Sequence, residues 1–156
     1  MHKKLFDHWR GQKLGFYLFI IVLAGLLTGV ACSSGPDFDE PPDIRYGEDS
    51  CERCLMIINE ARYAAAYVTE TGETRRFDDI GGMFAYNDEI SEDVAVFWVH
   101  DFDSEEWLKA DEAFYVKSQQ QTPMGFGIIA FADQQRADQR VTENDGVLLS
   151  FADLFG

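Results

Sequence analysis

The sequence predicts an α+β domain built from two similar β-β-α-β halves. Residues 61–68 (ARYAAAYV) parallel residues 110–116 (ADEAFYV), and residues 75–79 (RRFDD) parallel residues 129–133 (IAFAD). Both stretches sit in the same succession of strand, turn, strand ending in phenylalanine, helix and strand. Composition agrees with one packed core. Of 156 residues, 46% are hydrophobic and 14% aromatic, far too many for a disordered chain.

Each element has its own warrant. In the first half, Thr71-Gly72-Glu73 is a turn between two short strands. Asp78 or Asp79 caps a helix whose Ile80, Met83 and Phe84 fall on one face. Residues 94–99 (VAVFWV) form an uninterrupted apolar strand, expected to be buried on both faces. In the second half, residues 126–131 (FGIIAF) are a strand, and Asp133 caps a helix running through Arg140. Asn144-Asp145-Gly146 then turns into Val147-Leu148-Leu149. The domain is expected over residues 49–156, with halves of about 51–103 and 104–156.

The chain begins differently. Lys3, Lys4, Arg10 and Lys13 precede a charge-free run, residues 14–31 (LGFYLFIIVLAGLLTGVA), which ends at Cys32. A basic flank, an apolar run and small residues before a cleavage point make an export signal over residues 1–31. An uncleaved membrane anchor is the competing reading, since 18 residues is at the short end of a span. Gly29-Val30-Ala31-Cys32 resembles a bacterial lipobox, which favours lipidation of Cys32. Residues 32–48 follow as an acidic, proline-rich segment and read as a tether between lipid and domain.

Charge excludes some functions. The chain carries 13 basic and 28 acidic residues, a net charge of −15. Losing residues 1–31 removes four bases and one acid, leaving 27 acids, 9 bases and a net of −18. Such a surface repels phosphate, which argues against nucleic acid as a partner.

With Cys32 lipidated, the remaining thiols are those of Cys51-Glu52-Arg53-Cys54-Leu55-Met56. A CxxC supports a disulfide, a redox pair or half a metal site. A four-ligand zinc site needs more Cys or His than the single His100 that follows. In an extended segment the Cys54 and Met56 side chains point to one face, and thiolate beside thioether suits Cu(I). The plainer reading makes Met56 core, like the Ile57 and Ile58 that follow. Met124, in Thr122-Pro123-Met124-Gly125, belongs to a tight loop, where either gap-filling or ligation fits. Met83 fits the apolar face of the first helix, and His100 a hydrogen-bonded strand end. The acidic pairs, Asp78 with Asp79 among them, read as caps and solvated faces.

Cys51-x-x-Cys54-x-Met56, Phe77-Asp78-Asp79-Ile80, Asp101 with Trp107, Ala113-Phe114-Tyr115-Val116, Thr122-Pro123-Met124-Gly125 and Ala130-Phe131 occur in the order seen in the NosL family, which the chain resembles from Cys51 to about Leu149. The resemblance implies a lipid-anchored, periplasm-facing accessory protein of the bacterial cell envelope, not an enzyme. Such a protein binds one Cu(I) and delivers it for the copper cluster of nitrous oxide reductase, working with periplasmic and ABC-transporter assembly proteins. It implies a duplicated fold like the metal-binding domain of organomercurial lyase. Position by position, Cys54 and Met56 match the family's Cys-Gly-Met metal segment and Met124 its TPMG methionine, with Cys51 an auxiliary thiol. The sequence departs at Leu55, where the family usually has glycine. Gly82-Met83 stands where many members have Cys-Met. The competing function is a thiol-disulfide oxidoreductase, or a thiol-dependent lyase, using Cys51 and Cys54.

Overall fold

The computed structural model describes residues 38–155, so the segment expected to be an export signal, residues 1–31, and Cys32 lie outside the described residues. The first half runs β1 (Ala65–Thr69), β2 (Thr74–Phe77), α1 (Ile80–Ile90) and β3 (Val94–His100), followed by the short β4 (Trp107–Lys109). The second half runs β5 (Phe114–Lys117), β6 (Ile128–Phe131), α2 (Gln134–Glu143) and β7 (Val147–Leu149). The first sheet has the order β2-β1-β3-β4 and the second β6-β5-β7. Every named pairing is antiparallel. In each half the hairpin's first strand is central and the strand after the helix returns to its free side. The duplication read from a handful of residues is therefore a duplication of topology.

The repeat reaches further back than the sequence indicated. A single turn of 3-10 helix precedes each hairpin, at Ala61–Tyr63 and Ala110–Glu112. Before that stand two loops of one backbone design. Cys51 N–H donates to Met56 O (2.8 Å) and Leu55 N–H to Cys51 O (2.9 Å). Asp101 N–H likewise donates to Glu106 O (2.9 Å) and Glu105 N–H to Asp101 O (2.9 Å). Leu55 and Glu105 both have φ 61°. The flanking pairs match as well, Ser50 with Ile57 and His100 with Trp107. The second repeat thus begins at Asp101, three residues before the expected boundary at 104.

Both helices start where an aspartate caps them. Asp79 accepts from the N–H groups of Gly81 and Gly82, and Asp133 from Arg136. The main core gathers Tyr67, Phe77, Ile80, Met83, Phe84, Val99 and Tyr115 from both halves. A smaller cluster of Val116, Ile129, Phe131 and Ala137 lies between the second sheet and α2. The halves are joined where Asp101 bridges to Ala130 and Phe102 N–H donates to Ala130 O (2.8 Å).

Three expectations need correction. Residues 94–99 are not buried throughout: Trp98 and Val99 are, but Val94, Val96 and Phe97 are half-buried and Ala95 is exposed. The cause is the length of β4, which pairs only with Trp98, Val99 and His100 and leaves the start of β3 uncovered. The strand expected from Phe126 begins at Ile128, because Gly127 has φ +69° and its N–H is taken by Thr122. Finally, not all of residues 32–48 stands free. Ile44 is buried in the core, Arg76 Nε donates to Asp43 O (2.7 Å), and Tyr46 Oη meets His100 Nε2 (3.1 Å).

Candidate metal centre

The site begins with the turn that holds Cys51 and Cys54. It sits at the tip of a small hairpin closed by Gly47 N–H to Ile58 O, Ile58 N–H to Asp49 O and Cys51 N–H to Met56 O. Glu52 N–H ties the turn to β2 through Arg76 O (2.9 Å), and Arg53 reaches Glu89 on α1 (2.6 Å). The segment is therefore a turn and not the extended stretch expected, so strand-type alternation does not orient Cys54 and Met56. Leu55 enters the left-handed region to close it, a conformation that glycine adopts freely and a leucine only at a cost of about 1–2 kcal/mol.

Within this turn the Cys51 and Cys54 sulfurs and an Asp78 oxygen lie within 4.8 Å of one another. Cys51 is fully buried and Cys54 partly so. The Cys54 thiol donates to Asp78 Oδ2 (3.4 Å), while Asp78 Oδ1 is buried with no hydrogen-bond partner. An orphaned carboxylate oxygen is costly. Here the carboxylate lies beside two thiols, a donor set open to a cation. Burial pushes the Cys51 thiol up to about 12, against backbone N–H groups of Cys54 and Asp78 that favour a thiolate.

The matching loop shows what that seat accepts. At Asp101, the position equivalent to Cys51, the carboxylate receives Ser104 N–H (2.8 Å) and Ala132 N–H (2.9 Å). Ser104 and Ala132 correspond to Cys54 and Asp78. The fold thus builds the same pair of converging amides twice, once around a sulfur and once around a carboxylate.

Asp78 is neither the helix cap nor the solvated residue that the sequence suggests. It is 4% exposed, and its neighbour Asp79 supplies the cap. The repeat held the signal: Asp79 aligns with the cap Asp133, whereas Asp78 aligns with Ala132 and so is an acid the fold does not need.

Asp79 does more than cap. Its Oδ1 accepts from Gly81 (2.9 Å) and Gly82 (3.2 Å), and its Oδ2 from the Thr122 hydroxyl (2.5 Å) and Met124 N–H (3.0 Å). The loop carrying Met124 thus hangs on the residue beside Asp78. Its side chains rest on the first turn of α1. The Met124 sulfur is 2.6 Å from where a Cβ on Gly82 would stand, and Phe126 fills the same place over Gly81. Two helical glycines, each costing about 1 kcal/mol of propensity, make that close approach possible.

Of the residues singled out from sequence, Cys51 and Cys54 are thus together. Met56, 64% exposed, lines a 210 Å³ hollow with Asp78 and Pro123. Met124 is half-buried over Gly82. Met83 is fully buried core. His100 is spent on structure: Nδ1 meets Ala64 O (2.9 Å), Nε2 meets Tyr46, and the ring lies 3.6 Å from that of Trp107.

The fold matches the crystal structure of the copper chaperone NosL from Shewanella denitrificans with a TM-score of 0.61 and 20% identity, over 74% of this chain and 98% of that one. No curated protein matches the sequence. Residues 45–155, which include both loops and both sheets, match the NosL family model, and the chain belongs to the NosL family.

Proposed function

We propose that this chain is a copper-binding chaperone that takes up one Cu(I) as cargo and passes it to nitrous oxide reductase during assembly of that enzyme's copper cluster. It acts as an accessory protein and not as an enzyme, held by a lipid on Cys32 at the periplasmic side of the cell envelope, alongside the reductase's periplasmic and ABC-transporter assembly proteins. The observation that carries the reading is the cluster of two thiols with an unpartnered, buried carboxylate oxygen, opening beside a methionine-lined hollow.

Soft sulfur donors select Cu(I) over harder ions. Cys54, partly exposed and hydrogen-bonded to Asp78, is the thiol that an incoming ion reaches first. Met56 and Met124 supply neutral thioethers, which bind without adding charge and keep the ion exchangeable. Cys51, buried and hard to ionise, is the auxiliary thiol behind them. The same reluctance counts against a thiol oxidoreductase or lyase, which needs a lowered thiol pKa.

The test is a Cu(I) competition titration against a chromophoric chelator, comparing the parent chain with Cys54→Ser, Cys51→Ser and Met124→Leu. Loss on Cys54→Ser with a smaller loss on Cys51→Ser is expected. Unchanged affinity in Met124→Leu would remove that residue from the site, and equal losses at both cysteines would make it a dithiolate site.

A further inference from the structure

Leu55, Met56 and Ile57 are 77%, 64% and 43% exposed, an apolar run at the tip of the turn that carries Cys54. The duplication supplies a control for what the fold asks of these positions. The equivalent turn has the same hydrogen bonds and the same left-handed residue, yet carries Glu105 and Glu106, with Glu105 paired to Arg62 (2.5 Å). The backbone design therefore requires nothing apolar at positions 55 and 56, whereas Ile57 stands where the second turn has the half-buried Trp107. Leu55 is unfavourable twice over, in a conformation suited to glycine and with its side chain in water.

The charges around the tip say what would cover it. Exposed Glu52 lies within the turn, and exposed Glu60 lines the hollow beside Met56. Neither forms an ion pair with a described residue, whereas the nearby cations are engaged, Arg53 by Glu89 and Arg76 by Asp49 and Asp43 O. An apolar tip rimmed by unpaired acids repels a second copy of itself, and it repels anionic lipid. It complements a protein surface with an apolar socket and a basic rim.

We infer that Leu55, Met56 and Ile57 form the docking surface for the copper-accepting protein, which seats an apolar socket flanked by lysine or arginine over this tip and closes water away from the metal during transfer. This rests on the copper-delivery reading and adds to it the face used and the chemistry of the acceptor. Leu55 sets acceptor affinity without binding the metal.

The experiment follows copper transfer from the loaded chain to the apo form of the reductase proposed as acceptor. It compares the parent chain with Leu55→Gly, which relieves the backbone, and Leu55→Glu, the residue its counterpart already carries. Cu(I) affinity should stay within about twofold in both variants, and transfer should slow about tenfold in Leu55→Gly and further in Leu55→Glu. Added salt should slow the parent. Transfer by Leu55→Gly at the parental rate would overturn the docking surface while leaving copper delivery intact. A parent that holds copper but passes none to the reductase would overturn the client and the docking with it. A copper-loaded dimer split by Leu55→Glu, or binding to anionic vesicles lost in that variant with transfer unchanged, would assign the tip to another occupant and overturn the proposal.

Discussion

Asp79→Ala should be far more damaging than Asp133→Ala, although both remove the cap of the equivalent helix. Asp133 is exposed and accepts one hydrogen bond, from Arg136 N–H at 3.0 Å. Losing it costs about 0.5–1 kcal/mol, the ordinary value of an exposed cap. Asp79 is fully buried and accepts four bonds, two from α1 and two from the Met124 loop. The cap term is then about 1–2 kcal/mol. The Met124 N–H, left without its charged acceptor, adds about 1.5–3 kcal/mol, and the Thr122 hydroxyl adds less because it can turn elsewhere. The total is about 3–5 kcal/mol, a large share of a small domain's stability. Urea denaturation of both variants measures the difference, with Thr122→Val as a milder probe expected to lose about 1 kcal/mol. Equal losses in Asp79→Ala and Asp133→Ala would refute the claim that Asp79 fastens the second half's loop to the first half's helix.

Stability should fall as pH drops through the histidine range. Burial holds the His100 imidazole below its ordinary value, against the hydrogen bond to Ala64 O and the charges of Glu105 and Glu106. The unfolded chain takes up its proton near 6.5, so this contribution is complete above about pH 6.5 and is lost as pH falls toward the lower folded value. Asp101 behaves similarly in a lower window: burial raises its carboxyl, but bonds from Ala132 and Ser104 outweigh that and hold it down, so its contribution is complete above about pH 3.9. Urea midpoints between about pH 7.5 and about pH 5 isolate the histidine, and an equal slope in His100→Gln would refute the assignment. Intact mass of membrane-extracted protein should show a chain beginning at lipidated Cys32. Retention of residues 1–31 would make the segment a plain membrane anchor.

Much of this was legible in the sequence, for physical reasons that can be named. Apolar periodicity and a repeated aspartate after a strand-final phenylalanine announce both halves, because a helix start needs an acceptor whatever surrounds it. The sulfur-bearing residues were visible as types. Their arrangement was not, since a leucine at position 55 gives no sign by itself of the left-handed turn that the hydrogen bonds of Cys51 impose, and only the glycine usual in the family there points to it. The equivalence of CERCLM and DFDSEE is invisible in the letters, because what the two share is backbone. Asp78 lay between: its alignment with Ala132 marked it as surplus to capping, but only the cluster with the cysteines gives that surplus a use.

The paired turns also bear on how such a protein can change over generations. The copy at Asp101 ties the two sheets together, through Ala130 and Ala132, and any lineage that loses it loses the seam. Among the described residues no hydrogen bond ties the copy at Cys51 to the other sheet, which leaves those of its side chains that hold no metal free to drift. Mutational tolerance should therefore be lopsided across two near-identical backbones, with Leu55 open to replacement as acceptors diverge and Asp101 and Ser104 held fixed. A duplicated scaffold of this sort lets selection retune cargo and acceptor in one repeat while the other keeps the molecule folded.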